Sequence, residues 1–292
     1  MAAGPDGAVW FAEGGLGSPN AYVDRIGRIT NSGVTTEFPI PKTDWFTSAL
    51  TRGPDGALWF VGYGGARVGR ITTSGVVTMY DAKPFPDTIL STIAITSGPD
   101  GAVWFTIQGG YVGRITTSGQ VTTFLCNPCS GRDPTSIAVG SDGALWFTVY
   151  WSIYRMTVRG SLDPKPEATW HPDPQPDDVW ANKIAVGPDG ALWFTESANE
   201  IGRITKSGVV TQYPIPAEQA VLGREPYPSS ITAGSDGALW FTEPDNKIGR
   251  ITTSGAITEY PVSAQPSAIT LGPDRAIWFA EAGNRIGRLS LA

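Results

Sequence analysis

The stretch Gly187-Pro188-Asp189-Gly190-Ala191-Leu192-Trp193-Phe194-Thr195-Glu196, continued after a short gap by Ile201-Gly202-Arg203-Ile204-Thr205, decides the fold. Its first four residues are a turn, because proline suits the second turn position and glycine the last. The two apolar runs that follow are bounded by turn residues and too short to present a helical face, so each reads as a strand. The phrase Gly-(Pro/Ser)-Asp-Gly-Ala-(Val/Leu/Ile)-Trp-Phe recurs along the chain, centred on Trp10, Trp59, Trp104, Trp146, Trp193, Trp240 and Trp278. The spacings are 49, 45, 42, 47, 47 and 38 residues. A repeat of that length with turns inside it is the mark of propeller blades.

Each unit holds four strand signals. The first is apolar, as in Ser136-Ile137-Ala138-Val139, and runs into the Asp-Gly turn. The Ala-Leu-Trp-Phe-Thr strand comes second and Ile-Gly-Arg-Ile-Thr third. A tight turn such as Thr73-Ser74-Gly75 then leads to an alternating fourth strand such as Ala256-Ile257-Thr258-Glu259-Tyr260. Repeated seven times, this predicts an all-β, seven-bladed β-propeller of four-stranded antiparallel blades with almost no helix. Residues 1–292 are expected to form a single domain. The chain begins part-way through a first strand at Met1 and stops after Arg285-Ile286-Gly287-Arg288-Leu289. Two expectations follow: a three-stranded last blade, or a natural N-terminus upstream of Met1, which would leave room for a secretion signal.

Composition narrows the function classes. With 21 Lys and Arg against 27 Asp and Glu, net charge −6 and a pI near 4.9, no basic surface is available for nucleic acid or anionic membrane. No apolar run approaches the ~20 residues of a membrane-spanning helix. A soluble monomer with a small-molecule, carbohydrate or peptide ligand is expected.

A residue present in every blade is first a scaffold residue. Asp6, Asp55, Asp100, Asp142, Asp189, Asp236 and Asp274 are read as turn caps, and Arg28, Arg70, Arg114, Arg155, Arg203, Arg250 and Arg288 as hydrogen-bonding partners between blades. The tryptophans are read as inter-blade packing. Function is sought where the repeat breaks. Three residues after each tryptophan the ring reads Glu13, Gly62, Ile107, Val149, Glu196, Glu243 and Glu281. Glu13, Glu243 and Glu281 are candidate ligands for Mg²⁺ or Ca²⁺, which prefer oxygen donors. Glu281 and Glu243 are also candidate catalytic acids or bases. At the starts of the first strands, facing the axial opening, stand Ser48, Ile93, Thr135, Asn182, Ser229 and Ser267. Apart from Ile93 these are polar side chains that could orient a ligand by hydrogen bonds. The long connections add Trp45, Phe85, Trp180 and Tyr227, aromatic walls suited to a sugar or a cyclic peptide.

His171 is the only histidine and lies in the Pro-rich stretch between Trp170 and Trp180, so any mechanism needing two histidines is excluded. Cys126 and Cys129 form a C-x-x-C without the strand-to-helix context of a redox motif and without a second pair for zinc. A short-loop disulfide is the favoured reading, with two inert thiols as the alternative.

At Asn246-Lys247-Ile248-Gly249-Arg250-Ile251-Thr252-Thr253-Ser254-Gly255-Ala256-Ile257-Thr258-Glu259-Tyr260-Pro261, and in the Trp-Phe-Thr-Glu of blades 5 and 6, the sequence resembles the streptogramin B lyase (virginiamycin B lyase) family. The resemblance runs through all seven units. It implies a seven-bladed propeller with a Mg²⁺-dependent site that opens the ester of a cyclic depsipeptide by elimination, with histidines after proline as base and helper. Here those positions read Pro228-Ser229 and Pro266-Ser267, and the family glutamate of the final blade has an approximate counterpart in Glu281. The expectation is a propeller of this family that lacks streptogramin lyase activity and binds a small polar or glycosidic ligand at the axial opening. Two alternatives are a C–O lyase, polysaccharide lyase or glycosidase using Glu or Tyr, and a protein-interaction scaffold.

Overall fold

A computed structural model describes residues 1–13, 24–41, 46–85, 90–129, 131–162, 168–169, 180–216 and 227–291. Trp45 and His171 lie outside these residues. Seven antiparallel sheets are present, six of four strands and the last of three. Blade 5 illustrates the pattern, with Ala181–Val186, Leu192–Glu196, Glu200–Ile204 and Val210–Pro214 hydrogen-bonded in chain order. The seventh blade consists of Pro266–Leu271, Ile277–Glu281 and Arg285–Leu289. The fold is a seven-bladed β-propeller, and among the described residues the only helical element is one 3₁₀ turn at Asn127–Cys129. That turn carries the disulfide joining Cys126 to Cys129.

The residues fall into two compact units. One comprises Met1–Ile137 with Gly272–Asp274, and the other Ala138–Leu271 with Arg275–Ala292. Within each unit the first strands of successive blades pack on one another. Phe46–Arg52 touches Thr92–Ser97 in the first unit, and Ile231–Ala233 touches both Ala181–Val186 and Pro266–Leu271 in the second.

The repeated residues interlock inside each blade. In six blades one oxygen of the turn aspartate accepts the tryptophan indole N–H at 3.0–3.1 Å. The other oxygen accepts the third-strand arginine Nε at 2.5–2.8 Å. The guanidinium also stands over the tryptophan ring, as for Arg203 above Trp193 at 5.7 Å. This corrects the expectation that these arginines join blade to blade: Asp and Arg sit on the turn and third strand of the same sheet, in register with Trp between them, as in Trp193 opposite Arg203. Burial opposes ionisation of these aspartates, but hydrogen bonds from Trp and Arg outweigh it and hold each carboxyl below its ordinary value.

The tryptophans do pack between blades, and five of them set one face on an aromatic of their own fourth strand. Trp193 stacks on Tyr213 at 5.5 Å and shares a core with Leu239 and Phe241 of the next blade. The glycine of Ile-Gly-Arg-Ile follows from the phenylalanine after each tryptophan. A Cβ on Gly113 would stand 2.2 Å from the Phe105 ring, and the same clash recurs at Gly27, Gly69, Gly202, Gly249 and Gly287. Blade 4 solves the problem differently: Tyr154 occupies the glycine position and stacks on Phe147 at 5.7 Å.

Candidate functional site

In blades 3, 5 and 6 the start of the first strand is shaped by the threonine of Trp-Phe-Thr. Thr106, Thr195 and Thr242 each use Oγ1 to accept one first-strand N–H, from Ala94 at 3.0 Å, Lys183 at 3.1 Å and Ser230 at 3.1 Å. The ladder slips there, with register shifts between Phe105 and Ile107 and between Ala181 and Ile184. Such a bulge re-aims the side chains at the strand head.

In the second unit several sequence-predicted residues come together at these heads. Trp180 Nε1 donates to Asn182 Oδ1 at 2.8 Å, and Asn182 Nδ2 donates to the Pro228 carbonyl at 3.2 Å. The exposed Tyr227 meets Trp180 edge-on at 6.5 Å between centroids. Trp180 is anchored behind by its N–H to Ser197 Oγ at 2.8 Å. Ser229, next to Pro228, pairs its hydroxyl with Thr242 Oγ1 at 2.9 Å. Ser267 is exposed on the first strand of blade 7. Two aromatic rings, an amide and two hydroxyls thus occupy neighbouring strand heads.

The first unit uses the equivalent positions structurally. Ser48 Oγ lies 2.9 Å from the Ile93 carbonyl and 3.2 Å from that of Val61, tying blade 2 to blade 3. Thr135 is half-buried. Phe85 packs edge-on against Tyr111 at 5.9 Å.

Three of the four glutamates after Trp-Phe engage groups of their own blades, and Glu281 engages the connection before its blade. Glu243 lies over Gly249 of the third strand, close to Glu259 on the fourth, and Glu259 accepts from Lys247 Nζ at 3.0 Å. Burial, then the charge of and hydrogen bond with Glu259, push the Glu243 carboxyl up to about 8, against a smaller opposing pull from Lys247. Glu196 repeats this arrangement with an amide on the fourth strand: Gln212 donates to Glu196 at 3.1 Å and to Glu200 at 2.8 Å. Glu13 stands opposite Arg25, which is paired with Glu37 at 3.0 Å; burial and then Glu37 raise the Glu13 carboxyl. Glu281 accepts from the Ser263 N–H at 3.1 Å, Ser263 Oγ at 2.8 Å and the Ala264 N–H at 3.3 Å. These partners lie on third and fourth strands or, for Glu281, on the connection before its blade.

The sequence profile of the virginiamycin B lyase family matches residues 1–162 and 84–292. A solved streptogramin B lyase structure is 35% identical over 100% of this chain and 92% of that one, with TM-score 0.83. The chain belongs to the virginiamycin B lyase family. A catalytically inactive histidine-to-alanine variant of virginiamycin B lyase from Staphylococcus aureus, solved with quinupristin, is 35% identical over 98% of this chain and 100% of that one, with TM-score 0.78. The WD40 β-propeller domain of Doa1, 12% identical over 93% of this chain and 89% of that one with TM-score 0.69, shares the fold alone. No curated protein sequence matches significantly.

Virginiamycin B lyase membership raises the question of Mg²⁺. Among the described residues no three His, Cys, Asp or Glu side chains stand close enough to hold a metal ion. The Glu281 carboxylate is already met by three donors. Among the described residues the glutamates therefore do not gather into a cation site.

A further departure from the repeat stands one position along the first strands. At the position after Ser48, Ile93, Thr135, Asn182, Ser229 and Ser267 this member of the family carries Ala49, Ala94, Ser136, Lys183, Ser230 and Ala268. Lys183 breaks a row of small residues on the innermost strand of its blade. Burial pushes its amine below the ordinary lysine value.

Proposed function

We propose that this virginiamycin B lyase family propeller binds a small polar or glycosidic ligand at the inner-strand heads of its second unit and does not run the histidine-driven elimination of streptogramins. The observation that carries this reading is the assembly of Trp180, Asn182 and Tyr227 around Pro228-Ser229, one of the two places where the family resemblance implies a histidine. The single histidine of the chain, His171, supports it too, because base and helper require two imidazoles. General acid–base catalysis commonly supplies 10²–10⁴-fold, and a serine hydroxyl cannot take an α-proton near neutral pH. What remains is a binding surface, with aromatic faces for the apolar side of a ring and an amide and hydroxyls for its polar edge.

The test uses quinupristin, the compound solved with the S. aureus relative. Purified protein is incubated with it, with and without Mg²⁺, and the cyclic form is followed by chromatography. No loss above the uncatalysed rate is expected. Turnover that disappears in Glu281→Ala would overturn the reading. Thermal melts with Mg²⁺ and Ca²⁺ complete the test, since a cation bound only by the folded chain must raise the midpoint.

A further inference from the structure

The Lys183 backbone makes the same bond as its counterparts. Its N–H donates to Thr195 Oγ1 as Ala94 donates to Thr106 and Ser230 to Thr242, so the three residues are structurally equivalent. The scaffold is therefore complete with one carbon or a hydroxymethyl group at this position. The long cationic side chain on the innermost strand of blade 5 is an addition the fold does not require.

Among the described residues no counter-charge is paired with it. The strands packed most closely against Ala181–Val186 are Leu145–Val149, Leu192–Glu196 and Ile231–Ala233. They bring one ionisable side chain, Glu196, whose carboxylate is turned to Gln212 on the fourth strand. Among the described residues, burial is the single influence that acts on the amine. The neighbouring strand heads present Asn182, Ser229 and Ser267, which offer hydrogen bonds and no charge. Yet the residue as a whole keeps part of its surface accessible. An enclosed but reachable amine with no paired carboxylate among the described residues is costly to ionise, and an anion delivered by a ligand removes that cost.

We propose that Lys183 is the ligand-contacting amine of this site and that the ligand it selects carries a carboxylate. The inference rests on the binding role proposed above and narrows its ligand to an acid: an acidic sugar or a peptide acid whose ring or apolar side meets Trp180 and Tyr227 while its carboxylate reaches Lys183. A charge-assisted hydrogen bond in a desolvated place discriminates acid from ester by about tenfold or more.

Calorimetry with four probes tests this: trigalacturonic acid and its methyl ester, and an N-acetyl aromatic dipeptide as acid and as amide. The wild-type chain is compared with Lys183→Ser, the residue blade 6 already accommodates. Lys183 is also observed directly through ¹³C-methylated lysines, where only six lysines contribute and the variant assigns the signal. Support is an acid bound at least tenfold more tightly than its neutral partner, a saturable shift of the Lys183 resonance by the acid alone, and loss of the preference in Lys183→Ser. The sugar and peptide arms tell the two sources apart. Equal binding of acid and neutral probe with a still Lys183 resonance would leave the binding site standing and refute the carboxylate. Retained preference in Lys183→Ser, or no binding by either acid, also overturns the proposal.

Discussion

Gly113→Ala puts the packing logic of the blade to a direct test. The Phe105 ring lies on Gly113, so a new Cβ would fall 2.2 and 2.3 Å from Cε2 and Cζ. Carbon atoms sit comfortably at about 3.5–4 Å, so the ring must retreat by roughly 1.5 Å. It has nowhere to go, because Phe105 is fully buried in a core shared with Trp59, Val61, Val103 and Ile115. Forcing one extra carbon into such a core costs about 1–3 kcal/mol. Alanine returns about 0.4–1 kcal/mol by restricting the unfolded chain. The net loss expected is about 1–2 kcal/mol, which in a chain of this length lowers the melting midpoint by roughly 1.5–3 °C. Urea and thermal unfolding followed by near-UV circular dichroism measure it. Phe105→Leu in the same background should recover at least ~1 kcal/mol relative to additivity. A Gly113→Ala chain within ~0.5 kcal/mol of wild type, or an additive cycle, would refute the argument that the ring dictates the glycine.

Three further outcomes follow from single residues. Arg275 holds φ at 64°, where the other described Asp-Gly turns place glycine at 72–75°, so Arg275→Gly should stabilise by about 1 kcal/mol in urea unfolding. Glu243 is raised from 4.5 to about 8, so across that window the folded chain retains a proton the unfolded chain has lost, and stability declines as pH rises. Glu243→Gln should remove that decline, its advantage over wild type growing between the two ends of the window; a constant difference would count against the raised carboxyl. The turn aspartates are displaced in the opposite direction, below 3.8, so their contribution is complete above that value and is lost as pH falls through the lower folded value. Asp189→Asn should show a shallower loss of stability on acidification than wild type, measured as melting midpoint against pH.

Why the blade was legible and the site was not comes down to particular residues. The phrase around Trp193 carries its own partners: Asp189 is four residues away, Arg203 lies opposite in register, and Phe194 explains Gly202, all within one hairpin. A repeat spells such local contacts seven times over. The Arg–Asp pairing was nonetheless misplaced between blades, because spacing alone does not say which strands lie side by side. Lys183 escaped notice for a related reason. Its place beside Asn182 is plain in the sequence, but which side chains face it is a property of the folded ladder.

Sequence by itself determined the number of blades, their strand order and the family, because period, turn chemistry and alternation are local and repeated; that the last blade has three strands was settled by the folded sheet. Only the tertiary structure decided what each non-repeated side chain does. It turned Glu243 toward Glu259 and Lys247, Glu281 toward Ser263, and Asn182 toward Trp180 and Pro228. Those outcomes depend on which neighbouring strands offer a donor, a charge or no counter-charge, and that is set by packing between residues far apart in the chain.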